Sequence, residues 1–571
     1  MKYTCAFLLL AGLLSAGWQP KRPLTGSGDI AIPLCGPVPV SVFTTDGAGK
    51  FAPLFPGSGT HTYAVSTRSD SAQLYFSQGL RFYYSYHYTE AVASFKEAAR
   101  FDSTLAMAYW GEALALGPNI NVVPYRMPMR VLAVVDKMNR FAAHATPREQ
   151  ALMRTLSGRY EADTTQARRI QLNTGYADAL RDVARQYPED ADIQALFIDA
   201  VMNCHPWNLW NTDGTPKPWT PEVLSLCTEI LKKHPEHPAA LHYHIHLTEA
   251  SHHPEASIPS AETLRNTVPG IAHMVHMASH TYARTGQFSK GVAVNDIADH
   301  DFAVYDALAP QLTIRQLYQR PMMHYYHVQT HCAMNLGAAK LTATLAGRCR
   351  KSVSPEFFKG PQTLSLVAQY VYATPELALV RLGKWEEILR QPAPDPALPY
   401  AFFLHQWATG MALVRSGNTA GASRLLAWME TARQNPGLAI RYYNAPAESC
   451  LIAQKILEGE LAAAQGANAK AVLALQEAVQ TEDAMIYREP MDWPLPARHY
   501  LGALLVKQKQ WKKAEEVYRK DLVHNPNNGW SETGLSASLR AQHKTAEARV
   551  YARKSKAAFA QADIRITASA L

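Results

Sequence analysis

The chain has 571 residues, 47% of them hydrophobic and 18% charged, with a formal charge of +8 spread thinly along it. That length and apolar fraction suit several ordinary domains or one long repeat array with a continuous core. No Lys/Arg block is present to track a phosphate backbone, which excludes nucleic acid from the expected partners.

Residues 1–17 carry the pattern of an export signal: Lys2, the apolar run Ala6 to Leu14, then the small residues Ser15, Ala16 and Gly17 ahead of Trp18. The run is too short to span a bilayer, and no later segment approaches a transmembrane length. Cys5 precedes most of the run and is badly placed for lipid attachment. The expectation is an exported protein, periplasmic or extracellular. Six cysteines would remain: Cys35, Cys204, Cys227, Cys332, Cys349 and Cys450. An oxidising compartment allows one or two disulfides among them, and burial as small apolar side chains is the alternative. No CxxC spacing occurs, which argues against a zinc knuckle, a redox pair or a haem attachment site.

Residues 18–70 are rich in Pro, Gly, Ser and Thr and read as an irregular lead-in, with short strands expected near Val38–Phe43. Helical patterning begins at about Ser71. The series Tyr75, Gly79, Phe82, Ala91, Phe95, Ala98 matches the tetratricopeptide pattern, in which a small residue lets two helices approach and large residues fill the gaps. Tyr109, Ala113 and Leu116 follow at a spacing of 34, and Ser279, Tyr282, Gly291 and Ala298 repeat the pattern mid-chain. Near the end, Gly502, Leu505, Ala514, Tyr518 and Pro526 are followed by Gly534 and Ala546 at a spacing of 32. The expected fold is all-α, a tetratricopeptide-like solenoid of helical hairpins. Its segments are 71–235, a His-rich centre at 236–345, 346–485, and C-terminal repeats at 486–565. Such an array has a concave face on which a small molecule or a peptide would bind.

Residues 234–280 hold ten of the 22 histidines. At about 100° per residue, His242, His246 and Glu249 fall on one helical stripe. His273, His276 and His280 form a second, and His324, His327 and His331 a third. His244 points off the first stripe, and His252 and His253 sit in a turn before Pro254. Imidazoles at i, i+4 can chelate one ion from a single helix face. His242, His246, Glu249, His273, His276 and His280 are therefore the candidate metal ligands, for zinc, iron or copper. His324 and His327 are further ligands or contacts to a substrate, and Arg284 would hold an anionic group. Structural packing and a metal-free polar pocket are the competing readings. HxxxHxxE is not the HExxH of zinc proteases, so no peptidase activity is expected.

Five segments carry a resemblance: Tyr75–Leu80, Ala106–Leu114, Gly117–Asn121, His273–Arg284 and Asn527-Asn528-Gly529-Trp530. On these the chain resembles a group of secreted or membrane-associated bacterial tetratricopeptide proteins, over about residues 60–545. The resemblance implies no particular reaction. It implies His at positions 242, 246, 273, 276, 280, 324 and 327, Glu at 249 and Arg at 284, all present here. Tyr88 departs from it, where His is usual, with His87 one place earlier. Glu112, Asn121, Trp207, Glu489, Trp493 and Arg498 lie in segments of the same kind, and Glu112 and Asn121 join the candidates for contact with a ligand or substrate. Packing is the plain reading for the two tryptophans, and an ion pair for Glu489 with Arg498. The function expected is a metal-binding exported solenoid whose centre would suit hydrolysis or oxidation, with enzymatic activity itself left open. The alternatives are a metal-free scaffold for a peptide or partner protein, and a carbohydrate-uptake lipoprotein, which the want of a lipidation cysteine opposes.

Overall fold

Hairpins of helices follow one another from Asp70 to Ala558, each helix packing chiefly on its neighbours in sequence. The computed structural model describes residues 45, 49–121, 125–309, 320–360, 362–441, 443–489 and 491–571. The expected export signal, Cys5, Cys35 and the strands near Val38–Phe43 lie outside these. Among the described residues the only β pairing is an isolated bridge between Trp210 and Pro216. No helix there is long and apolar enough to cross a membrane. Cys204, Cys227, Cys332, Cys349 and Cys450 are free thiols, all but Cys204 fully buried.

The repeat is built on aromatic rings clasped between glycines. A Cβ at Gly79 would stand 2.7 Å from the ring of Phe95, and one at Gly111 2.4 Å from the same ring. At the other end Gly502 and Gly534 clasp Tyr518 in the same way, at 2.4 and 2.1 Å. Only a residue without Cβ lets the two helices close on the ring. The first repeat thus aligns Gly79 with Gly111, not with Ala113, and its period is two residues shorter than the expected 34.

Residues 49–69 are irregular yet tied down. Their backbone is held by side chains of the helices beneath: Phe51 N–H donates to Glu97 (3.0 Å), Phe55 N–H to Gln78 (2.9 Å), and the His61 carbonyl accepts from Arg81 (2.7 Å). The largest buried core runs from Ala52 to Tyr325, a second from Leu366 to Ala548. The solenoid also folds across itself. Tyr305 donates to Glu90, Tyr443 to the Ile120 carbonyl (3.2 Å) and Trp530 to the Asn335 carbonyl (3.2 Å). The centre of the array is therefore roofed by its own C-terminal repeats rather than left as an open concave face.

Candidate metal centre

Three helices bring the histidines together: Pro238–Thr248, Ala272–Arg284 and Arg320–Asn335. The first starts at a capping residue, His237, with Pro238 at its first turn, where a missing N–H costs nothing. That start sets the phase that turns His242 and His246 inward. His242, His246, His273, His276, His280, His324 and His327 are all buried, His242 and His276 completely.

All but His327 sort into two triads. His242, His246 and His273 form one, and His276, His280 and His324 the other. The second stripe thus splits, His273 joining the first helix and His276 with His280 the third. Within the triads, the Nε2 atoms of His242 and His246 lie 3.2 Å apart, those of His276 and His280 3.0 Å, and those of His280 and His324 3.4 Å.

The opposite ring nitrogens decide what these contacts are. His242 Nδ1 donates to the Tyr84 carbonyl at 2.7 Å, and a carbonyl can only accept. His246 and His280 donate from Nδ1 to the two oxygens of Glu249, at 2.7 and 2.9 Å. His276 Nδ1 donates at 2.5 Å to the Asn295 oxygen, whose identity follows from its amide nitrogen donating to the Gly291 carbonyl. With Nδ1 holding the proton in His242, His246, His276 and His280, the Nε2 of each of those rings, when neutral, presents a lone pair. The His242–His246 and His276–His280 contacts are then acceptor against acceptor, which a cation between the rings makes favourable, whereas His324 can donate its own Nε2–H to His280. A proton is one such cation, but burial and the neighbouring imidazoles push His242, His273, His276 and His324 well below the ordinary histidine range. His280 alone moves up: burial opposes its charge, and the Glu249 carboxylate outweighs burial. Burial would raise Glu249 itself, but His246 and His280 hold it down to about 2. Neither nitrogen of His273 has a hydrogen-bond partner, nor has Nδ1 of His324.

Other expected residues fall elsewhere. Glu249 is the exception: it accepts from His246 and His280 and with them forms a further group able to hold an ion. Arg284 donates to the carbonyls of Glu249 (2.8 Å), Ser251 (3.3 Å) and His524 (2.6 Å), all three on the backbone. His327 packs its ring 4.9 Å from that of Tyr370 and, with His324, Arg488 and Glu489, borders a cavity of about 50 Å³. His331 lies apart, beside Asn335 and Phe288. Glu112 faces Lys96, Arg130 and Lys137. Asn121 donates its N–H to the Asn119 side chain (3.0 Å) in the loop reached by Tyr443. Arg498 pairs with Asp483, at 2.7 and 2.6 Å, and not with Glu489, which takes the Tyr487 hydroxyl instead. Trp493 packs on Trp407 as an anchor, whereas the ring of Trp207 stands edge-on to His246 at 5.6 Å. His244 bonds Ser260 (2.8 Å), away from the triads.

Sequence reasoning missed Tyr86 and Asn295. Tyr86 and Trp207 both have left-handed backbones, φ 57° and 58°, uncommon for residues with bulky side chains. Tyr86 packs its ring against His242, His246 and His273. The aromatic run Tyr83-Tyr84-Ser85-Tyr86-His87-Tyr88 was the available signal for it; Asn295 had none.

No family model matches the chain. No curated protein matches it either. Among solved structures it is similar to the human IFIT1 dimer with m7Gppp-AAAA, at 10% identity over 86% of this chain and 90% of that one, TM-score 0.32. The APC/C hetero-tetramer Cut9-Hcn1 follows at 14% identity, over 86% and 76%, TM-score 0.27. The P58(IPK) TPR domain gives 11% identity over 83% and 99%, TM-score 0.21. Scores this low carry no argument about the centre.

Proposed function

We propose that this chain is a metalloprotein whose centre holds two divalent transition-metal ions, one on His242, His246 and His273 and one on His276, His280 and His324. The observation that carries the reading is the pairing of Nε2 lone pairs at 3.2 Å between His242 and His246 and at 3.0 Å between His276 and His280, with their Nδ1 protons already committed to Tyr84, Glu249 and Asn295. Metal–nitrogen bonds of about 2.0–2.1 Å space two ligands on one ion roughly 3–3.5 Å apart. Glu249 then fills the place of the outer carboxylate that orients metal-ligating imidazoles and raises their basicity. A metal-free scaffold leaves the lone pairs of His242 and His246 opposed, while in the second triad a protonated His280 relieves the contact with His276.

All-imidazole donor sets suit zinc, iron or copper, and three protein ligands leave a position for water or a small molecule. Such an ion supplies Lewis acidity or a hydroxide at neutral pH, which fits hydrolysis, or redox chemistry in oxidation. The cavity beside His324, His327 and Glu489 is the place for a small reactant. The N-terminal pattern adds an exported setting to this reading.

Metal analysis of untagged protein tests it. The two triads are expected to hold about two of the wild type's equivalents, one of them lost after His246→Ala and the other after His276→Ala. His244→Ala serves as the control, because its ring bonds Ser260. Wild-type protein that takes up no zinc, iron or copper would overturn the reading.

A further inference from the structure

Metal-ligating side chains gather at a second place, where the irregular lead-in crosses the helix Ala191–Cys204 and the start of the helix Pro238–Thr248. His61 Nε2 lies 2.8 Å from Asp192 Oδ1. His237 Nε2 lies 3.6 Å from the same oxygen, and the two imidazole rings are 4.8 Å apart. All three residues border an open cleft of about 980 Å³. His237 is 4% exposed and directs Nε2 at the group from just beyond hydrogen-bond reach, so that nitrogen is buried without a partner. A buried polar atom of this kind calls for a ligand.

We propose that His61, Asp192 and His237 form a further metal site, which takes a zinc-like divalent ion and clips the lead-in to the solenoid. The separations of 2.8 and 3.6 Å bracket the spacing of roughly 3–3.5 Å that two ligands adopt on one tetrahedral zinc. Two imidazoles and one carboxylate are a common donor set for zinc, and the cleft leaves its fourth position open to water. The supporting contacts are of the kind that orient ligands. Tyr84 donates its hydroxyl to Asp192 at 2.7 Å, and Arg81 grips the His61 carbonyl at 2.7 Å. One contact opposes the ion. His237 Nδ1 accepts from the Ala240 N–H at 3.3 Å, and coordination through Nε2 moves the ring proton to Nδ1 and gives up that cap. A single long N-cap contact is small beside the binding free energy of a structural metal.

The site is separate from the two triads, so it stands or falls without them. The test uses the full chain stripped by chelator and titrated with zinc, comparing wild type with His61→Ala. His61 belongs to the irregular lead-in, so its loss leaves every helix cap in place. His61→Ala should bind one zinc fewer than wild type. Zinc should slow proteolysis within residues 49–69 of the wild type and leave the rate in His61→Ala unchanged. In a His246→Ala/His276→Ala background, the same single equivalent should persist and disappear on adding His61→Ala. Equal zinc uptake by wild type and His61→Ala, or cleavage of the wild-type lead-in at one rate with and without zinc, would overturn the proposal.

Discussion

The ring of Tyr86 stands 4.4 Å from that of His242, on a backbone held at φ 57°. Its hydroxyl is buried without a hydrogen-bond partner. An orphaned hydroxyl costs about 1–3 kcal/mol, while the ring fills space against three histidines. Tyr86→Phe keeps the ring and removes the cost, so chelator-treated protein should gain about 1 kcal/mol, read as a higher Tm. Tyr86→Ala should lose about 3–5 kcal/mol through the cavity beside His242 and His246. A Tyr86→Phe variant less stable than wild type would show that the hydroxyl has work in the native state.

Arg284 spends its guanidinium on three carbonyls, two at the end of the first histidine helix and one at His524. Arg284→Ala leaves those acceptors unmet and removes a tie between segments 240 residues apart. Hydrogen bonds to a charged group contribute about 1.5–3 kcal/mol each, before burial is counted. Proteolysis should then cut first near residues 524–528 in the variant, while a free anion such as phosphate gives the wild type no protection. Arg284→Lys should rescue only part of the loss, because an ammonium cannot span three carbonyls in a plane.

Stability should respond to pH in two opposite ways. Burial, then neighbouring charge, holds His327 down to about 3 and His331 to about 4. The unfolded chain takes up those protons near pH 6.5 and the native one does not, so this stability is complete above 6.5 and is lost as pH falls toward 4 and then 3. Glu489 works the other way, because burial raises its carboxyl to about 7. The native state there holds a proton that the unfolded chain gives up near 4.5, so stability drains as pH rises from 4.5 to 7. Glu489→Gln should flatten that limb, gaining on the order of 3 kcal/mol at most by pH 8. A Tm–pH curve for the two proteins that stays parallel from pH 5 to 8 would refute this.

Gly534 tests the clasp. A Cβ there would meet the Tyr518 ring at 2.1 Å, and the Tyr518 hydroxyl is itself bonded to Ser569. Gly534→Ala should cost about 1–3 kcal/mol from overpacking, despite the better helix propensity of alanine. Pairing it with Tyr518→Leu should recover part of the loss in thermal unfolding.

The histidine stripes were legible because an α-helix alone fixes which side chains share a face: His242 with His246, and His276 with His280, need no tertiary information to meet. The clasped aromatic was legible for the same reason, although its register at Gly111 needed the packing of Phe95. What joins helices was not legible. Glu249 shares its stripe with His246, and only the approach of the next hairpin shows that it serves His280 as well. The link from Arg284 to His524 and the gathering of His61, Asp192 and His237 depend on how the array curves, which no local spacing encodes. Asn295 gave no sign because an asparagine on a buried face reads the same whether it supports an imidazole or merely fills a gap.

The crossing of the C-terminal repeats over the histidine helices has a kinetic consequence. Tyr443 reaches the Ile120 loop and His524 is gripped by Arg284, so the roof of the centre is chain synthesised after the imidazoles beneath it. An ion that entered before docking is then released only when the repeats lift. Its residence time follows the frequency of that opening rather than the strength of its bonds to nitrogen. A chelator should strip the folded protein at a rate that stops rising with chelator concentration, and Arg284→Ala should lift that ceiling.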